Sequence, residues 1–185
     1  MSLHLGVVSI EGDHLEDVPD IFQRCNYGLL GLPQTVHSTN ELSRALDEVM
    51  VNRTTVKKAA YVENGWTHIM DFELVMITEE SLWAKLSEKW NAKVLCWVCE
   101  GTSGTYMFSL FGNGKKVRSV EYVDGDLSES GNALLEEVGI DWNQAFEDDI
   151  LNLAERLGAP YRNLDNEGDY RVYLLDESHL LPENL

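Results

Sequence analysis

The sequence contains few of the residues that build reactive, metal-binding or disulfide-bonded sites. Its 185 residues include only three cysteines, Cys25, Cys96 and Cys99. An odd number of cysteines in a chain of this length favours reduced thiols over a disulfide framework. There is no second Cys pair, and the five histidines are scattered singly, so no zinc-ligand spacing is present. We therefore expect neither a metal ion nor a cofactor.

Long apolar runs are absent as well. No window holds eighteen consecutive apolar residues, and the N-terminal stretch MSLHLGVVSIEGDHLEDV lacks the basic and apolar regions of a secretion signal. The sequence thus predicts a cytoplasmic protein and no association with a membrane.

Basic residues are scarce: the sequence contains 14 lysines and arginines and 32 aspartates and glutamates, which gives a net charge of -18. The imbalance is uneven, because residues 121–185 carry 17 acids and 3 bases, whereas residues 1–120 carry 15 and 11. A field of this sign repels phosphate backbones, so nucleic acid is not an expected partner, whereas a basic protein would be attracted. Acidity that only aids solubility is the alternative interpretation.

What the sequence does contain is the composition and periodicity of one α+β domain over residues 1–185. Hydrophobic residues make up 44% of the chain, enough for a sizeable core. Residues 3–10 and 169–177 have strand character, and segments 16–28, 38–52, 78–92 and 141–160 have helical periodicity. We expect a mainly antiparallel sheet of five to seven strands with helices packed on it. The oligomeric state is not set by the sequence.

Three short segments of turn-forming residues organise the predicted sheet. Asn64-Gly65 lies between two β-rich runs and is a strong signal for a two-residue hairpin loop. The runs 93–100, 105–111 and 116–122 are separated only by GTSG and GNGK, which favours an antiparallel meander.

The meander contains Cys96-Trp97-Val98-Cys99, which has the spacing of a thiol-disulfide motif. Side chains three apart on a strand point to opposite faces, so we predict two buried thiols rather than a redox pair. Residues 100–105, EGTSGT, have the composition of a phosphate-binding loop, but the strand-like YMFSLF follows where such a loop needs a helix. A turn is the better interpretation.

Residues 126–137 have the skeleton of a calcium loop, with Asp126 first, Gly131 sixth and Glu137 twelfth. An EF-hand requires a preceding helix, and the preceding segment here is strand-like. A loop that ends in a helix cap at Ser130 accounts for the same residues. Calcium binding is kept as a third, minor hypothesis.

No catalytic motif is evident. The carboxylate pairs in this chain are adjacent in sequence, so on a helix their side chains diverge by about 100° and do not form a dyad. No serine has nucleophile-elbow spacing, and nothing selects one Ser/His/Asp combination over another. An enzyme is not favoured, and no catalytic residue is assigned.

Two groups of residues are the candidate sites. The carboxylates of Glu147, Asp148 and Asp149 are the candidate contacts to a basic protein partner. The alternative is a small-molecule-binding or enzymatic domain whose pocket is built around the sheet. Arg118 would need a carboxylate partner if it faced the apolar layer, with Glu136 or Glu137 as the candidates, or it would simply guard a sheet edge. The candidate pocket residues are Trp66, Trp97, Tyr106 and Arg118.

The ordered series GWTHIMDFE, GTSGTYMFSLFGNGKKVRSVEYVDG, GNALLEEVGID and DDILNLAERLGAP, within residues 60–160, resembles a group of uncharacterised small bacterial α/β proteins. Some members of that group are similar to immunity proteins of bacterial toxin systems. The uneven negative charge and the lack of a recognisable active site, rather than this resemblance, favour a non-enzymatic, protein-binding domain, for which an immunity-like inhibitor is one form. The resemblance supplies no established activity and no catalytic residues.

Overall fold

A computed structural model describes residues 4–47, 54–161 and 168–177. In these ranges the chain forms ten strands and four α-helices. The strands are β1 (His4–Glu11), β2 (Gly28–Leu29), β3 (Gln34–Val36), β4 (Thr55–Glu63), β5 (Trp66–Asp71), β6 (Val94–Glu100), β7 (Thr105–Gly112), β8 (Lys115–Val123), β9 (Asp126–Gly131) and β10 (Tyr170–Asp176). The helices are α1 (Val18–Arg24), α2 (Thr39–Asp47), α3 (Glu80–Lys89) and α4 (Glu147–Arg156).

The α+β class with a mainly antiparallel sheet is confirmed, but the predicted number of five to seven strands is too low. The ten strands include β2 and β3 in the loop expected between the first two helices, and β9 in the loop expected after β8. β2 and β9 contain glycine and short polar residues, which carry little strand propensity, and β3 is only three residues long. Antiparallel pairing with a neighbouring strand holds all three segments extended.

The chain divides into two compact units, each built from two segments. The first unit contains Met1–Asp13 and Val62–Tyr161, and the second contains His14–Tyr61 and Arg162–Leu185. The first unit has the antiparallel strand order β5-β1-β6-β7-β8-β9. In the second unit, β10 pairs antiparallel with β2, β3 and β4. The single-domain assignment stays a prediction.

The three turn segments connect antiparallel strands, as their residues predict. β4 ends at Glu63 and β5 begins at Trp66, and Asn64 and Gly65 both have positive φ, 49° and 78°. This is the geometry of a two-residue hairpin loop. β6, β7 and β8 form the expected meander, with adjacent strands antiparallel throughout.

The sheet of the first unit has two distinct faces. Trp97, Phe108 and Val120 are register partners on one face, which we call the α4 face because α4 packs on β6 and β7 there. Cys96 and Ser109 are register partners on the opposite face, which α3 covers from β6 to β8. We call this the α3 face.

The continuous helix predicted over residues 141–160 is wrong over its first six residues. Residues 142–144 form an isolated 3-10 turn that begins at Asp141, whose carboxylate accepts the N–H of Asn143 at 3.1 Å. Residues 145 and 146 are extended, and α4 starts only at Glu147. Helical spacing continues across the break, which is why periodicity could not locate it. Gly158 follows the C-cap with φ 87°, the left-handed conformation that a glycine commonly adopts where a helix ends.

Candidate functional site

The Cys-x-x-Cys segment is a strand, and its thiols are separated as predicted. Cys96 lies opposite Ser109 and Cys99 lies opposite Tyr106 in the β6–β7 register, so the two side chains project from opposite faces. Both residues are buried and neither forms a disulfide. This geometry does not support a dithiol redox pair.

Cys99 is expected to resist alkylation in the folded protein. Burial, followed by the negative charge of Glu147, raises the pKa of its thiol to about 12. Because the thiolate is the reactive species, native Cys99 should remain unmodified by iodoacetamide at pH 8 and should react once urea unfolds the chain. Peptide mass spectrometry of the two samples measures this. Equal labelling rates for native and unfolded Cys99 would contradict the buried placement.

The segment with calcium-loop spacing does not converge on an ion. Asp126 and Gly131 are the ends of β9, which pairs with β8. The first half of the segment is therefore an extended strand, whereas a calcium loop has to wrap around the ion. Glu137 is 6% exposed and binds Arg118. Among residues 4–47, 54–161 and 168–177, no three His, Cys, Asp or Glu side chains are grouped closely enough to hold a metal ion.

One serine and one histidine do meet in the sheet, which sequence reasoning could not select. Ser9 of β1 and His68 of β5 are register partners, and the Ser9 hydroxyl lies 2.9 Å from Nδ1 of His68. Both side chains are fully buried. The pair is a cross-strand hydrogen bond inside the core, out of reach of a substrate. Correct hairpin and strand registers would be needed to foresee it.

The four candidate pocket residues lie on the same face of the first unit's sheet. The β-strand registers put Trp66, Trp97, Tyr106 and Arg118 all on the α4 face, and all four are buried. Trp97 packs edge-on against the ring of Tyr161, at 5.5 Å between centroids. The indole Nε1 of Trp66 lies 3.6 Å from the position that a Cβ on Gly158 would occupy. Their assignment to a ligand pocket stays a prediction.

Arg118 forms a buried ion pair with Glu137. Its side chain is 2% exposed, and Nε and Nη2 donate to the two oxygens of Glu137 at 2.9 and 2.7 Å. Nη2 also pairs with Glu129 of β9. Glu137 is thus the carboxylate partner expected for an arginine facing the apolar layer, one of the two candidates named from the sequence.

The carboxylate of Glu137 is fully used by donors around it. Besides Arg118, it accepts the backbone N–H of Leu134 at 2.8 Å and the indole N–H of Trp142 at 2.9 Å. Burial alone raises the pKa of Glu137, but the hydrogen bonds from Arg118, Leu134 and Trp142 outweigh it and hold this pKa below its ordinary value. The cluster fixes residues 134–142 on the α4 face. It leaves no vacant functional group for catalysis.

The chain next to this cluster exposes large apolar side chains. Leu135, Val138 and Phe146 are 87%, 71% and 65% exposed, and they are three of the four most exposed large hydrophobic residues in the described part of the chain. Phe146 shares the helical spacing of the buried residues Trp142 and Ile150, but it is exposed. It is the residue at the extended break before α4, so its ring points away from the core.

These apolar side chains are held in place by the backbone around them. Nη1 of Arg156, in the last turn of α4, donates to the carbonyl oxygens of Glu136 and Val138, each at 2.9 Å. The backbone N–H of Phe146 donates to Asp149 at 2.9 Å. The 135–138 turn therefore sits at one end of α4 and Phe146 at the other. A ten-residue helix spans about 15 Å, which lies within one standard protein interface.

Acids surround these apolar residues. Residues 135–161 contain seven acids and one base, Arg156, whose guanidinium is occupied by backbone carbonyls. Of the three candidate contacts, Asp148 is exposed, Glu147 is half-buried, and Asp149 caps the start of α4. We call the following set the acidic apolar surface: Leu135, Glu136, Val138, Asp141, Phe146, Glu147, Asp148 and Asp149.

Comparison of the chain with models of protein families, with curated proteins and with solved structures found no match. Within the described ranges, every helix is too short or too polar to cross a bilayer.

Proposed function

We propose that this chain is a non-enzymatic protein-binding domain whose acidic apolar surface contacts a basic partner protein. The observation that carries the proposal is that Leu135, Val138 and Phe146 are presented to solvent on a backbone that is hydrogen-bonded in place. Exposed apolar side chains beside charged ones are typical of the centre and rim of an interface.

The way these side chains are held favours recognition over a chance exposure. The buried Arg118–Glu137 pair and the two Arg156 hydrogen bonds order the 134–138 segment before any partner arrives. A preordered surface loses less conformational entropy on association, so more of its contact energy appears as affinity. An apolar segment that served only as a linker would not need this support.

Charge selects the partner's chemistry. The surface carries five carboxylates and no base, on a chain of net charge -18. Such a field attracts positively charged proteins, raises their association rate and repels acidic ones. The resemblance of residues 60–160 to a bacterial group with immunity-like members adds the proposal that the basic partner is a toxin that this domain neutralises.

The test is capture from an extract of the source organism, followed by calorimetry with the purified captured protein. The decisive variants are Phe146→Ser and Asp148→Lys, and the matched control is Glu88→Lys, which reverses an exposed charge on α3. We expect Phe146→Ser to weaken binding about tenfold or more through lost apolar contact, and Asp148→Lys to slow association. Glu88→Lys should bind as the wild type does.

Capture alone does not support the proposal, because acidic proteins retain basic ones non-specifically. An affinity that is unchanged by Phe146→Ser, or reduced equally by Asp148→Lys and Glu88→Lys, would contradict a defined site. Phe146 is exposed, so Phe146→Ser should leave the melting temperature unchanged. Asp148 is exposed but lies in the first turn of α4, so Asp148→Lys should lower the melting temperature slightly, because a lysine there opposes the helix dipole. Circular dichroism confirms both points before the titrations.

A further inference from the structure

A cavity of about 170 Å³ opens on the α3 face of the first unit's sheet. Its walls come from β6, β7 and β8 on one side, and from the 3-10 turn at Met76–Thr78 with the start of α3 on the other. This is the opposite face from the acidic apolar surface. A ligand of this cavity would therefore be independent of the protein partner proposed above.

The cavity is mainly apolar and has the size of a small organic molecule. Ile77, Val98 and Met107 form much of its lining, with the Cys96 thiol beside them. A cavity of about 150 Å³ with apolar walls can hold a molecule as large as benzene. The thioether of Met107 also adapts its shape readily to an apolar guest.

One charged group on the wall has no partner within the described ranges. The Glu121 carboxylate, half-buried on β8, makes no hydrogen bond or ion pair there. The second acid on the wall, Glu80, is neutralised by Lys116 at 2.7 Å. The charged groups at the cavity thus leave one net negative charge. That charge lies next to an apolar space, and Thr78 and Ser109 are the uncharged hydroxyl residues among those that line the cavity.

We propose that this cavity binds a short alkylammonium group. Its methylenes lie against Val98 and Met107, and its ammonium pairs with Glu121. An ammonium suits the site because it is compact and donates hydrogen bonds to a carboxylate, while four or five methylenes match the apolar volume. A carboxylate ligand would be repelled by Glu121. A free primary amine and a lysine side chain share this chemistry.

The proposal is tested by titrating the full chain, labelled with ¹³C at its methionine methyl groups, with n-pentylammonium, 1-pentanol and pentanoate at matched ionic strength. The Met107 methyl resonance reports occupancy of the cavity. We expect n-pentylammonium to bind about tenfold more tightly than 1-pentanol, because a hydrogen bond to a charged group contributes more than a neutral one. Pentanoate should not shift the resonance.

Variants separate charge from shape. Glu121→Gln is close to isosteric and should reduce n-pentylammonium to the affinity of 1-pentanol. The control Glu88→Gln removes an exposed acid from α3 outside the cavity and should leave both affinities unchanged. Ser109→Leu fills the cavity while keeping Glu121, and should abolish binding of all three ligands. Melting curves establish that each variant is folded.

Three results would overturn the proposal: no Met107 shift with n-pentylammonium, equal binding of n-pentylammonium and 1-pentanol, or an ammonium preference that survives Glu121→Gln. A further arm distinguishes the two sources of the group. If Nα-acetyl-lysine amide binds at least as tightly as n-pentylammonium, the natural ligand is a lysine side chain. If it binds more weakly, the ligand is a free amine.

Discussion

Replacement of Arg118 by alanine is expected to lower the free energy of unfolding by about 3–5 kcal/mol. The substitution removes both charge-assisted hydrogen bonds to Glu137 and leaves that carboxylate buried with only the Leu134 and Trp142 donors. An uncompensated buried charge costs far more than the pair contributes when it is intact. Urea unfolding at pH 7, followed by tryptophan fluorescence, measures the difference.

The same strand provides a matched control. Lys116 of β8 pairs with Glu80 at 2.7 Å, but its partner is exposed. An exposed ion pair contributes about 0.2–1 kcal/mol, so Lys116→Ala should change stability by less than about 1 kcal/mol. Equal losses in the two variants would show that Arg118 is no more important to the fold than a surface lysine.

The pH dependence of the Arg118→Ala deficit follows from the Glu137 carboxyl. In the wild type its folded-state pKa lies below the ordinary 4.5, so its contribution to stability is present above that pH and is lost as the pH falls through the folded value. Without Arg118, the largest influence left on Glu137 is burial, which raises the pKa of this carboxyl. Protonation of Glu137 then removes the buried charge from the folded variant. The difference in the free energy of unfolding between Arg118→Ala and the wild type should therefore shrink as the pH falls from 7 towards 4.5.

The local rules that worked here are those with little dependence on distant residues. Alternation of side chains along a strand predicted that Cys96 and Cys99 would project from opposite faces. The tolerance of Asn64-Gly65 for positive φ predicted the hairpin loop, and both residues have positive φ. Both follow from backbone sterics within a few residues. The carboxylate partner of Arg118 was also foreseeable, because a buried guanidinium needs one.

The missed features depend on tertiary contacts. β9 has the composition of a loop, and only its pairing with β8 and the contact of Glu129 with Arg118 make it a strand. The break at Phe146 keeps helical spacing in the sequence. The candidate binding acids were chosen by charge alone, so the sequence could not show that Asp149 caps α4 or that Phe146 is exposed beside them.

The same dependence on tertiary contact makes one glycine of β9 sensitive to substitution. Gly131 has φ 78°, and a Cβ there would lie 2.2 Å from the carbonyl oxygen of Val117 in β8. Alanine would combine left-handed backbone strain with a backbone clash, so Gly131→Ala should destabilise the protein by roughly 3 kcal/mol. Thermal unfolding by circular dichroism measures this loss.

The control for this prediction is Gly125→Ala, which separates the clash from the strain. Gly125 also has positive φ, 92°, but no atom lies within 4 Å of its added Cβ, so only the backbone strain of about 1 kcal/mol applies. Gly131→Ala must shift β9 away from β8, which moves the carbonyl oxygens of Ser130 and Gly131 that lie 3.4 Å from Arg118. Its effect should therefore diminish in an Arg118→Ala background, whereas that of Gly125→Ala should add independently. If the stability losses of Gly131→Ala and Arg118→Ala add fully in the double variant, the position of β9 does not influence the buried ion pair, and this prediction is contradicted.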